Sequence, residues 1–381
     1  DRSPSRGLGD VYKRQVIVAA VILGGIGRIG RVTAFLAPFM AAIYVFGALV
    51  ILVLNLGSVP GAFATVVTEA FNPQAGVAGI GIGVFMVTMM WGVRRGLFSH
   101  EAGQGSAPIA HAAAKTDEPV SEGVVALLEP LIDTLVICTL TGVVIVGTGT
   151  HEQRIPTEVT LGGGDITWTA EVEPNRYAGI DAPQSVEIAD GLHVNTGVGA
   201  AMVSWHEAYV DMLYTDIAQT QPFTGTIYPG SGEAKADDGA TYTSLYGNAV
   251  ENGAPITAEA FRQGLAPLGD WGHFIVVFGV LLFGISTAIS WSYYGDRCAY
   301  YLFGKRAILP YKALFVLAHF TGAAIPLAVV WALGDVALAI VIWPNLIALI
   351  LLAPVVAEET RSYFERKPYE AISSRREAMG D

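Results

Sequence analysis

Charge is scarce in this chain of 381 residues: Asp, Glu, Lys and Arg make up 15% of it, against about a quarter of an ordinary soluble domain. That scarcity argues against the two or three soluble domains that the length alone would suggest. Cysteine is scarcer still. Cys138 and Cys298 stand in or beside apolar stretches and are too few for a disulfide framework. A basic stripe is absent and the net charge is −12, which excludes nucleic-acid binding. What is abundant is apolar sequence, 52% of the chain, together with 44 glycines. Disorder and collagen are excluded by that content, and a multi-spanning membrane protein is indicated.

About 20 apolar residues in helical form cross a bilayer core. Val32–Asn55 meets that test almost without a break and ends at Gly57-Ser-Val-Pro60. Val77–Val93, Gly123–Gly147, Trp271–Tyr294, Tyr311–Val330 and Trp331–Ala357 follow, the last two parted only by the turn-like Gly322–Pro326 and Gly334. Val16–Gly27, twelve residues, is too short to span and reads as the end of a helix whose start is missing. Residues 1–15, polar and aperiodic, read as a non-native or disordered extension. The expected organisation is therefore a transmembrane region 16–147, an insert 148–270, a second transmembrane region 271–357 and a tail 358–381. Lys and Arg gather in the tail, in an Arg28–Arg31 loop and around Arg297–Lys312, which places those parts in the cytoplasm.

Thr148–Asp270 differs in kind, with 17 acidic residues against four basic ones. Thr157–Leu161 and Ile166–Val172 alternate like strands with Gly162–Gly164 as a turn, and Trp205–Ile217 fits a short amphipathic helix. A small exported domain of mixed or β structure is expected. His206-Glu207 lacks the second histidine of a zinc helix, and His151 and His193 read as surface residues.

The polar residues inside apolar sequence carry the functional information. Val77–Ala114 would be far longer than a bilayer is thick if it were one helix. It is interrupted at Gly96-Leu-Phe-Ser-His-Glu-Ala-Gly-Gln-Gly-Ser-Ala-Pro108. Broken backbone at membrane depth belongs in a protein-lined or wet cavity, where its amides and carbonyls suit a zwitterion and an alkali cation; a re-entrant turn or a cytoplasmic loop is the plainer alternative. Glu129 and Asp133 share one helix face; the first is placed near the cytoplasmic interface, the second in a structural pairing through Arg94 or Arg95, with transport chemistry as the alternative. Ser286 and Thr287, with the Phe283 carbonyl one turn earlier, offer oxygen to a hard cation or merely bond back to their own helix. Pro344 removes a helix hydrogen bond that Asn345 helps to repair, a structural or gating role.

These residues resemble a known family. Arg94-Arg95-Gly-Leu-Phe-Ser-His-Glu-Ala-Gly-Gln-Gly-Ser-Ala-Pro-Ile-Ala-His-Ala-Ala-Ala-Lys115 is similar to the signature loop of the alanine/glycine:cation symporters. Ile22–Arg31, Ile132–Thr139, Ser290–Cys298 and Ile342–Ile350 agree with it in family order. The resemblance implies a sodium-coupled, sometimes proton-coupled, transporter of alanine, glycine and similar amino acids, not an enzyme. It further implies an all-α membrane protein of the leucine-transporter type, two inverted repeats of five helices. This chain would hold the second repeat and the last part of the first, and would be incomplete for transport. Substrate-facing positions then fall among Phe98, Ser99, Gly103, Gln104 and Gly105. Phe283, Ser286 and Thr287 form part of a sodium (Na+) site, with H+ an alternative coupling ion, and Asp133 and Asn345 take structural or coupling roles. His100 replaces the family's usual Asn, and the 148–270 insert is longer than the family's loop. The expected setting is the inner membrane of a prokaryote, C-terminus cytoplasmic and insert external, with the lipid bilayer and a small amino acid as partners and no obligatory protein partner. A membrane-anchored binding protein or enzyme with its activity in the insert is the second reading.

Overall fold

The computed structural model describes residues 26–71, 89, 92, 101, 103–162, 166–173, 176–205, 208–322, 325 and 327–369. They fall into two compact units, one drawn from Asp1–Trp91 and Thr139–Trp331, the other from Gly92–Cys138 and Ala332–Asp381. The expected extension at 1–15, the stub Val16–Gly27 up to residue 25, and most of Val77–Val93 lie outside the described residues.

The first unit begins with α1 (Ile26–Leu54), so positions Arg28 and Arg31 are helical and not in a loop. The apolar run ends at Leu54, just before the Gly57–Pro60 stretch, as the sequence indicates. The chain turns at Asn55–Ser58 into α2 (Val59–Phe71), a helix that the sequence pattern missed, bent 103° from the one before. The Asn55 amide caps the turn, donating to the carbonyls of Gly264 (3.2 Å) and of Ile51 (2.9 Å), the latter also accepting the Asn55 backbone N–H.

The second unit carries the short α3 (Ala107–His111) and α4 (Pro119–Ala126). A π-helix, Leu131–Cys138, lies just after Pro130 and holds Asp133. It runs on into α5 (Thr139–Gly147) of the first unit. After the insert come α6 (Gly253–Gly264), α7 (His273–Phe303), α8 (Ile308–Gly322) and α9 (Leu327–Arg366), the last crossing into the second unit. Gly334 does not interrupt α9, while the break expected near Gly322–Pro326 is present. Among the described residues three helical runs are long and apolar enough to span a membrane: Pro119–Gly147, His273–Phe303 and Leu333–Arg366. The bent pair at Asn55–Ser58 makes a fourth if counted as one span. At 15 residues α8 falls short of the ~20 that a span needs. None of the most apolar stretch of α9 is buried in protein, the arrangement expected of a surface that meets lipid.

The insert is a β structure. Its strands are β1 (Arg154–Thr160), β2 (Ile166–Glu173), β3 (Arg176–Gly179), β4 (Val186–Ala189), β5 (Leu192–His193), β6 (Ala201–Trp205), β7 (Ala208–Tyr209), β8 (Leu213–Tyr214), β9 (Gly225–Tyr228), β10 (Glu233–Ala236), β11 (Thr241–Tyr242) and β12 (Ser244–Val250). They make three antiparallel sheets, ordered β1-β12-β8, β11-β10-β9-β4-β5 and β3-β2-β6-β7. The described residues of Trp205–Ile217 are thus strand and turn in place of the expected helix: Val210 and Leu213 are fully buried in the β core with Phe223 and Leu245. The two expected strands exist, but they lie in different sheets. β1 pairs with β12 from Arg154↔Val250 to Thr160↔Ser244. An antiparallel pair holds its ends about 5 Å apart, so the whole insert is gathered between two neighbouring points and loads the helices with little loop-closure cost.

The last part of the 148–270 segment belongs with the helices. Ala260, Phe261 and Leu265 of α6 and the residue after it pack with Ala48 and Ile51 of α1, Val144 of α5 and Val276 of α7. An added Cβ at Gly264 would meet Ile51 Cγ2 at 2.5 Å, so only glycine allows that approach.

Candidate functional site

The glycine break expected to face substrate survives in part among the described residues. Phe98 and Ser99 lie outside them, as do His100, Arg94 and Arg95. Glu101, Gly103 and Gly105 all have left-handed backbone (φ +55°, +79° and +91°), a conformation that ends any helical ladder. A tight turn results, with the Gln104 N–H donating to the Glu101 carbonyl (3.1 Å), and α3 starts two residues later with the Ile109 N–H bonded to the Ser106 carbonyl (3.0 Å). Pro108 suits that first turn because its missing N–H would find no helical partner there.

Asn345 holds this turn. Its Nδ2 donates to the Gly103 carbonyl at 2.8 Å across 242 residues of sequence, which corrects the expectation that it repairs α9 at Pro344. On the other side of the turn a Cβ at Gly105 would stand 3.2 Å from the Asn345 Cβ. The Gln104 side chain between the two glycines is 3% exposed. Ser106 is buried as well, and its hydroxyl meets no partner and caps no helix end. A buried hydroxyl in that state costs about 1–3 kcal/mol, which a polar ligand at the turn would offset.

The expected cation residues lie in the first unit. Ser286, buried on α7, donates to the Phe283 carbonyl at 3.0 Å, the back-bond to its own helix. Thr287 points to an exposed face of α7. The structure therefore brings Ser286 and the Phe283 oxygen together and leaves Thr287 apart from them. Asp133 sits in the π-helix, and its expected partners Arg94 and Arg95 are outside the described residues.

Three ionic groups escaped the sequence reading. His111 on α3 stands between Glu122 of α4 (2.9 Å) and Glu129 (3.3 Å), so Glu129 takes part in a cluster. Asp296, almost fully buried on α7, accepts from Arg297 (3.0 Å) and pairs with the buried Lys312 of α8 (3.3 Å). Arg366 forks onto Glu118, with contacts of 2.6 and 3.0 Å; the guanidinium hydrogen bond lowers the carboxyl pKa. The signal available in sequence was only the presence of these charges beside apolar segments. Their pairing joins separate elements and leaves no spacing to read.

In the insert His193 is buried, not a surface residue. Its Nε2 accepts from the Val203 N–H at 2.9 Å and its Nδ1 lies 3.4 Å from the Tyr209 hydroxyl. Burial pushes its pKa down to about 4, because the charged imidazolium would lose its hydration there. Among the described residues no cluster of three or more His, Cys, Asp or Glu is arranged to hold a metal ion.

A helical membrane protein with a buried glycine turn braced by a distant asparagine is the class that these features define. The sequence model of the sodium:alanine symporter family matches residues 13–170 and 239–376, and the chain belongs to that family. The unmatched 171–238 falls inside the insert, between the paired β1 and β12. The sodium/alanine symporter AgcS of Methanococcus maripaludis is 34% identical over 356 residues, 93% of this chain and 56% of that protein. An uncharacterized transporter of Haemophilus influenzae is 31% identical over 92% of this chain and 56% of its own length. The sodium/proton-dependent alanine carrier protein of Bacillus sp. PS3 is 24% identical over 92% of this chain and 60% of its own. The chain thus spans little more than half the length of these curated relatives.

Proposed function

We propose that this chain is part of a sodium-coupled symporter of small neutral amino acids, alanine and glycine foremost, with H+ as the alternative coupling ion. The observation that carries this reading is the turn at Gly103–Ser106. In a protein of this family, left-handed backbone with a buried amide side chain and a buried, unbonded hydroxyl offers both donors and acceptors to a zwitterion of few atoms. Phe98, Ser99, Gly103, Gln104 and Gly105 face the substrate, and Phe283, Ser286 and Thr287 contribute to the cation site, where Ser286 exchanges its back-bond for the ion. Asp133 and Asn345 hold the surrounding helices. The fold is the leucine-transporter type of inverted repeats, and one helix bundle rocks against the other once ion and substrate are bound. A cation asks for about five or six oxygen ligands and these residues offer three, so the 381 residues alone do not transport.

The setting is a prokaryotic inner membrane, tail inside and insert outside. The test is uptake of labelled alanine by proteoliposomes holding the full-length gene product, under an inward Na+ gradient and with choline in its place. Sodium-dependent uptake supports the reading. Indifference to Na+, H+ and alanine alike in a correctly inserted protein overturns it, as would full-rate uptake by the 381-residue chain for the claim of incompleteness.

A further inference from the structure

We infer that Asn345 is a positioning residue that sets the shape of the Gly103–Ser106 turn and, through it, which small amino acid is accepted. The inference rests on the symport reading and deepens it. Four observations lie behind it. The Asn345 amide donates to the Gly103 carbonyl at 2.8 Å, and so consumes the one acceptor that the first left-handed glycine presents on that side. The asparagine's own Cβ closes the space beside Gly105, leaving 3.2 Å for any added carbon. Gln104 and Ser106, the buried polar side chains of the turn, are carried on the two peptide units that these contacts fix. Asn345 follows Pro344 on α9, whose missing N–H leaves the carbonyl one turn back without a helical donor and lets the backbone bend there. Both contacts lie within one compact unit.

A turn of left-handed residues has few internal hydrogen bonds and drifts unless its surroundings fix it. Here a single side chain does so from both ends. Asn345 touches the turn and is given no contact with substrate, so its effect is on pocket geometry.

The consequence is a particular pattern of failure. Removing the amide N–H lets Gly103 rotate, displaces Gln104 and Ser106, and weakens the recognition of a small zwitterion about tenfold or more. Asn345→Asp has nearly the same size but offers no N–H, so it matches Asn345→Ala; it also keeps the test open should the alanine variant fail to fold. In the full-length gene product both variants are expected to raise the half-saturating alanine concentration about tenfold and to shift the preference between alanine and glycine, at unchanged membrane abundance. A merely structural role would lower abundance and maximal rate and leave affinity and preference where they were. Amide exchange over residues 101–112, read without any transport, should quicken about tenfold in the same variants.

Unchanged affinity and preference in a transporting protein overturn the inference and leave the symport reading standing. If the wild-type protein takes up no alanine, the symport reading fails. Exchange then decides the positioning role: quickened exchange upholds it, and unchanged exchange overturns it.

Discussion

The two stretches expected to bind substrate and ion satisfy their polar groups in opposite ways. The Gly103–Ser106 turn depends on Asn345, 242 residues away, and leaves a buried hydroxyl without a bond. The Phe283–Thr287 stretch is an ordinary part of α7, and Ser286 finds its acceptor three residues back in the same helix. The first exists only once distant elements are packed, whereas the second forms wherever α7 is helical. Substitutions should therefore be felt as lost geometry in the first and as lost ligands in the second.

Gly105→Ala is the strongest way to break the contrast. It places a side chain at φ +91° and 3.2 Å from the Asn345 Cβ. Left-handed strain and the displaced hydrogen bond together cost about 4 kcal/mol, so alanine uptake should fall by about three orders of magnitude. Gly103→Ala shares the strain but meets no atom within 4 Å and should be milder.

The β insert supplies a control, because its buried polar group is already satisfied. His193 titrates near 4 in the folded protein, below the ordinary 6.5. Above pH 6.5 it contributes nothing to pH dependence. Between 6.5 and 4 the unfolded chain takes up a proton that the folded one refuses, so stability falls as pH falls, by about 3 kcal/mol in all. Amide exchange of β2 and β6 against pH reads this, and His193→Gln, which cannot titrate, should flatten the slope.

On the ion side, Ser286→Ala removes one hydroxyl and leaves α7 intact. Half-saturating Na+ should rise about tenfold with alanine recognition at saturating Na+ almost unchanged. Thr287→Ala should act in the same direction. If either variant alters helix stability instead, the hydroxyl serves only its own helix.

The smallest effect expected is that of Ser106→Ala. Removing an unbonded buried hydroxyl is neutral or slightly stabilising to the fold, while alanine affinity should fall a few-fold, roughly 1 kcal/mol.

Legibility in the sequence followed the range of the interactions. Long apolar runs announced α1, α7 and α9, and two-residue alternation announced β1 and β2, because both patterns are local. The left-handed turn was visible as glycine crowding between Gly96 and Pro108, since few other residues take positive φ. The turn after α1 was announced by Gly57-Ser-Val-Pro60, but the helix α2 beyond it was not, and the bond from the Asn55 side chain to Gly264 joins residues too far apart in sequence to be read there. Trp205–Ile217 passed for an amphipathic helix because its apolar spacing fits either period, and only the β core around Val210 and Leu213 decides between them. His193 had no local mark of burial, and Asn345 none of its partner.

The most direct measurement asks where alanine sits. In the full-length gene product with Cys138 and Cys298 replaced by serine, Ser106→Cys would be labelled with a thiol reagent, with and without alanine and Na+. Slower labelling when both are present, and no change with Na+ alone or with a large amino acid, is the predicted result. Labelling that ignores alanine while sodium-dependent uptake persists would place the substrate elsewhere and contradict the account.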